Sequence, residues 1–126
     1  MGLAKVLGLS GKAVKAAEIY QLVVKLMESS YGADSTNLVL PLSGLGNLLL
    51  GQGKAIEAEK PFTRILEIYS RLHGETDGRV GVALFSVAHV KCAQGNADEA
   101  INLYRRGLQL IKETWIWHWM TRLWRR

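Results

Sequence analysis

Cysteine is almost missing from this chain: Cys92 stands alone among 126 residues, so neither an internal disulfide nor a cysteine metal cluster can form. Histidine is scarce too. His73 and His89 are isolated and His118 sits among tryptophans, so no pair has ligand spacing backed by carboxylates, and neither a metal nor another cofactor is expected. No apolar run approaches the roughly eighteen residues needed to cross a bilayer. The opening "MGLAKVLGLS" is too short for a signal peptide with its cleavage site. Val6 stands where a myristoylation pattern would want Ser or Thr. A cytoplasmic location is the resulting expectation.

One-sided charge is missing as well. The net charge of +5 is spread unevenly: residues 1–42 hold four bases against three acids, residues 43–114 nine against eight, and residues 115–126 three Arg and no acid. A nearly neutral body with mixed signs describes a solvated helical surface and not a phosphate-binding stripe, so no nucleic-acid partner is expected. What the chain does have is 48% hydrophobic residues, enough for the core of a single globular domain.

It also repeats itself. "LLGQGKAIEAEKPF" and "CAQGNADEAINLY" share Gln-Gly, then Glu-Ala, then an aromatic residue. An offset of 42 pairs Gly32 with Gly74, Gln52-Gly53 with Gln94-Gly95, Glu57-Ala58 with Glu99-Ala100, and Leu66 with Leu108. Stepping back by the same offset sets Gly11-Lys12 on Gly53-Lys54 and Tyr20 on Phe62. Three copies result, at about 1–32, 33–74 and 75–114, the first lacking most of its opening helix. A fixed period of this length marks stacked units that cannot bury their own faces alone.

Each copy reads as two helices around a Gly turn. Leu38, Leu42, Leu45 and Leu49 recur at three and four, predicting a helix over about 36–51 that Gly53 stops. A second helix over about 55–71 places Ile56, Phe62, Ile65, Leu66 and Tyr69 on one side, and copies of it fall at 13–30 and 97–113. The connectors "YGADST" and "HGETDG" suit a C-cap followed by an N-cap. Small residues recur where helices would cross: Ala4, Gly46 and Ala88 in the first helices, Ala16, Ala58 and Ala100 in the second. Tyr20, Phe62 or Tyr104 follows each second-helix alanine by four residues. A small side chain lets backbones approach, and an aromatic ring one turn on fills the adjacent space.

With period, helix phase, small residues and the Gln-Gly turn together, "GNLLLGQGKAIEAEKPFTRILEIYSRLHG" and "AHVKCAQGNADEAINLYRRGLQLIKET" resemble tetratricopeptide repeats of the 42-residue kind found in kinesin light chain. The resemblance spans residues 1–114. It implies an all-α solenoid, a right-handed superhelix of antiparallel helix pairs, that binds peptides or helices of protein partners in a groove lined by the first helix of each pair. Carried onto this sequence, the groove positions are Lys5 in the first copy, Ser43, Asn47 and Leu50 in the second, and Phe85, His89 and Cys92 in the third. The kinesin light chain pattern has an Asn-Asn pair here whose amides would clamp a peptide backbone. This chain has Ser43-Gly44 and Phe85-Ser86 instead. Pro61 lies one place later than that pattern's proline, near the second turn of its helix, where it can bend it.

Plainer readings stand beside these. Asn47 also reads as a solvated helix position, and His89 has no acid-base companion that would suggest catalysis. Cys92 reads as a small half-buried hydrophobe. Arg64 recurs as Arg106, and Glu67, three residues after Arg64, predicts a surface ion pair. Gly44-Leu45-Gly46 falls inside a helical phase and not after a strand, so it does not read as a phosphate loop.

Residues 115–126 break the pattern. All four tryptophans, Trp115, Trp117, Trp119 and Trp124, crowd into ten positions. A continued helix sets Trp117, Met120 and Trp124 on one side and Trp115 and Trp119 on another, which is no single stripe. The segment reads as a cap over the open end of the array, as a self-association surface, or, least favoured for want of a stripe, as a membrane-surface anchor. Because the first copy starts mid-helix and three repeats are near the minimum for a stable array, the chain reads as part of a longer protein or as dependent on a partner. The function implied is non-catalytic: a protein-interaction module, with homo-oligomerisation through the tryptophans as the rival.

Overall fold

The computed structural model describes residues 13–125, which places Ala4, Lys5, Gly11 and Lys12 outside the described residues. Five α-helices follow one another: α1 (Ala13–Tyr31), α2 (Val39–Gly51), α3 (Ala55–His73), α4 (Gly78–Ala93) and α5 (Ala97–Trp124), with a 3₁₀ turn at Thr36–Leu38 leading into α2. There is no strand among the described residues. The chain divides into two compact units between Ile65 and Leu66, so α3 gives its first half to one unit and its second half to the other.

The helix ends follow the local chemistry. Gly32, Gly53, Gly74 and Gly95 all have positive φ, between 78° and 94°, a backbone state that costs a side-chain-bearing residue about 1–2 kcal/mol. The two connectors carry N-caps in which Ser35 Oγ accepts from the Asn37 N–H at 3.1 Å and Asp77 Oδ1 accepts from the Arg79 N–H at 2.8 Å. Between Gly32 and α2 the first turn is 3₁₀ and not α, and Pro41, which brings no N–H, falls in the opening turn of α2. Pro61 also lacks an N–H for the Glu57 carbonyl, yet α3 runs through it without a break.

In the first unit Val24, Leu38, Leu42, Leu45, Leu49, Ala58, Phe62 and Ile65 are buried, and α1 packs on α2. Two glycines of α2 give way to aromatic rings. A Cβ on Gly46 would lie 2.6 Å from the Phe62 ring, and one on Gly44 would lie 2.6 Å from Tyr20. The predicted pairing of small and aromatic residues is therefore real at Gly46, and Tyr20 extends it to Gly44 of the following copy. Gly44 occupies one of the two positions where the kinesin light chain pattern carries its asparagines. An Asn there would bring its Cβ to 2.6 Å from the Tyr20 ring, too close for van der Waals contact.

In the second unit α4 packs along α5. Val80, Leu84 and Leu110 form its core, with Leu66, Tyr69 and Leu103 packed against them. The closest approach uses a pair of glycines: a Cβ on Gly81 would sit 2.6 Å from the Gly107 carbonyl oxygen, and one on Gly107 would sit 2.7 Å from that of Gly81. Phe85 and Tyr104 meet nearby, with ring centroids 5.6 Å apart. No polar or charged side chain is buried among the described residues.

Three expectations need correction. Ile56 is not on the buried face of α3: it is 78% exposed, while Ile68, which the period-counting passed over, is 1% exposed. Ile56 lies about 180° around the helix from the stripe of Ala58, Phe62, Ile65 and Ile68, all buried. Arg64 does not pair along its own helix with Glu67; its guanidinium reaches across to Glu28 of α1 and donates to the Ala33 carbonyl at 3.4 Å. Finally, the last helix does not end near 113 but runs to Trp124.

Candidate protein-interaction surfaces

Two surfaces stand out, and each is built from the residues that the sequence nominated. The first is the outer side of the opening helix of a copy. On α2, Ser43, Asn47 and Leu50 are spaced by four and three and share one face. Asn47 is exposed, and Ser43 and Leu50 are half-buried. Leu42, Leu45, Gly46 and Leu49 take the buried side. The same spacing on α4 brings Phe85, His89 and Cys92 together in the second unit. His89 and Cys92 are exposed there, and Phe85 is half-buried.

Two of these placements differ from expectation. Cys92, read as half-buried, is exposed near the C-terminal end of α4, because the turn that follows carries no helix over it. Phe85 is as much a packing residue as a surface one, since its ring lies against Tyr104 and within 3.0 Å of where a Gly107 Cβ would be. Lys5 lies outside the described residues.

The second surface is the end of α5. Thr114 is the last residue of α5 seated against the start of α4, where a Cβ on Gly78 would lie 3.0 Å from its Oγ1. The hydroxyl donates back to the Leu110 carbonyl at 2.9 Å. Beyond it, ten residues overhang. At 1.5 Å per residue this is about 15 Å of helix with no partner helix beside it. Trp115, Trp117, Trp119 and Trp124 are 66–86% exposed.

Under the overhang lies an open pocket of about 620 Å³, with Asp77, Arg79 and Val82 on the α4 side and Ile111, Trp115 and His118 on the α5 side. Arg79 is tethered there, its Nη1 donating to the His73 ring at 2.8 Å and its Nε lying 3.3 Å from Asp77. The sequence named Trp115 and its fellow tryptophans but not this pocket. Its walls come from the capped start of α4 and the far end of α5, and only the packing of these two helices brings them together.

Among the described residues no three of His, Cys, Asp and Glu gather as a metal site, and the surfaces offer amide, indole, aliphatic and guanidinium groups in the open.

The tetratricopeptide repeat family model matches residues 1–71 and again 39–113. The chain belongs to the tetratricopeptide repeat family. Its repeats recur at an offset of 42 residues. The fold of the repeats agrees with that of BtubC (BKLC) from P. vanneervenii, whose crystal structure matches with a TM-score of 0.72 at 24% identity over 82% of this chain. The chain spans 41% of the length of that protein. No curated protein matches it. Tetratricopeptide repeats mediate protein–protein contact and form a non-catalytic scaffold family. No helix among the described residues is long and apolar enough to cross a membrane.

Proposed function

We propose that this repeat protein is an adaptor that holds an extended or helical segment of a protein partner against the first helix of its copies. The observation that carries this reading is the sidedness of α2. Leu42, Leu45 and Leu49 are buried, while Asn47, exposed, and Leu50 and Ser43, half-buried, share a stripe beside them. Asn47 offers an amide that both donates to and accepts from a peptide backbone, and Leu50 offers apolar contact three residues on. On α4 the corresponding stripe carries His89 and the exposed edge of the half-buried Phe85 ring.

The test is selection of peptide ligands from a displayed library on the full chain, followed by titration of the winners against Asn47→Ala and His89→Ala. Both side chains are exposed, so neither change should disturb the fold. The adaptor reading expects a loss of about 5- to 30-fold in affinity for each, the range of a hot-spot contact of 1–2 kcal/mol. Ligands that bind both variants as tightly as the parent would sink it.

A further inference from the structure

Thr114, Trp115, Trp117, His118 and Thr121 of α5 line the pocket against α4, so the two edges of the apolar surface border the pocket and its middle faces away from it. At 100° per residue the two groups of tryptophans are not separate sides. Ile116 and Leu123 fall between them, so Trp115, Trp119, Leu123, Ile116, Met120, Trp124 and Trp117 follow one another around a single arc of about 200°. His118, Thr121, Arg122 and Arg125 occupy the remainder. Every member of the apolar arc is 48–86% exposed.

The arc is also set in positive charge. From Ala100 to Arg125 the helix carries Arg105, Arg106, Lys112, Arg122 and Arg125 against the single acid Glu113. Arg105, Arg106 and Lys112 lie on the same side of α5 as the apolar arc, just N-terminal to it.

We propose that the end of α5 inserts into the interfacial region of an anionic phospholipid bilayer, its apolar arc among the acyl-chain boundary and its arginines at the headgroups. Three features select this occupant. An arc of about 200° is wider than the roughly 100° stripe that a helix covers in a core, but it matches a helix half-sunk in a surface. Indoles prefer the membrane–water boundary, where one part of the ring is apolar and the N–H stays wet. A second copy of the chain would bring five bases against five with one acid on each side, whereas anionic lipid attracts them all. The proposal is independent of the peptide-binding reading, since it uses neither α2 nor the exposed stripe of α4.

Because the chain's only tryptophans lie between Trp115 and Trp124, intrinsic fluorescence reports on this segment alone. The experiment adds vesicles of phosphatidylcholine, with and without about one-third phosphatidylserine, to the full chain at low salt. The expected result is a blue shift and co-sedimentation that are at least tenfold stronger with phosphatidylserine. Arg122→Glu/Arg125→Glu should remove most of that preference, and Trp117→Ser/Trp124→Ser should weaken binding to both vesicle types, with helicity by circular dichroism unchanged. Absence of binding to either vesicle by the parent chain overturns the proposal. So does binding indifferent to lipid charge, or a dimeric mass with the indoles already blue-shifted before lipid is added; that last result would make a second copy the occupant.

Discussion

A single missing methyl group decides several contacts in this protein. Gly81 and Gly107 let α4 and α5 touch backbone to backbone, with the opposing carbonyl oxygen 2.6 Å from where a Cβ on Gly81 would stand. Backbone cannot swing aside as a side chain can. Gly81→Ala is therefore expected to cost about 2–3 kcal/mol, measured as a lower urea midpoint at an unchanged slope. Gly44 presents a softer obstacle, the ring of Tyr20. Introducing the asparagine of the kinesin light chain pattern with Gly44→Asn should destabilise by about 1–3 kcal/mol. Most of that loss should vanish when Tyr20 is Ala, so a double-mutant cycle should show coupling above about 0.5 kcal/mol. Additive effects would mean that the ring is not what excludes the asparagine.

Helices differ in how far they depend on their neighbours. α2 is short and apolar, with Pro41, Leu42, Leu45, Gly46 and Leu49 all buried, so its stability is that of the core around it. α5 is 28 residues long, and its last ten are all exposed, none of them part of the buried core. Ending the chain at Thr114 should therefore move the thermal midpoint by no more than a few degrees, and a large drop would reveal a capping role that the exposed indoles do not show. The cross-helix pair of Arg64 with Glu28 is about one-third exposed on both sides. Arg64→Met should cost about 0.5–1 kcal/mol at low salt and less at high salt. The period of the helices was legible because leucines at three and four report burial directly. The end of α5 was not, since no Gly or Pro stands there to stop a helix and the tryptophans obscured the phase.

At the scale of the whole chain, the two surfaces answer to different physics and separate experimentally. The proposed peptide capture, through Asn47 and His89, should survive removal of residues 115–126 with affinity changed less than twofold, as titration of selected peptides on the truncated chain would show. Charge belongs to the other surface: between Ala100 and Arg125 lie five of the chain's sixteen bases and one of its eleven acids.

The sequence by itself determined the repeat, the helix pairs, the glycine turns, the caps and the nomination of Asn47 and the tryptophans. All of these rest on interactions within a few residues or on a period that repeats them. Tertiary structure alone decided which partner each residue found. Arg64 chose Glu28, 36 positions away, over Glu67 three away; Tyr20 chose Gly44; Gly81 found Gly107; Ile68 went inside and Ile56 stayed out. It also set which side of α5 faces the pocket beside α4. Distance along the chain says nothing about contacts across it, where steric fit between packed helices selects the neighbour.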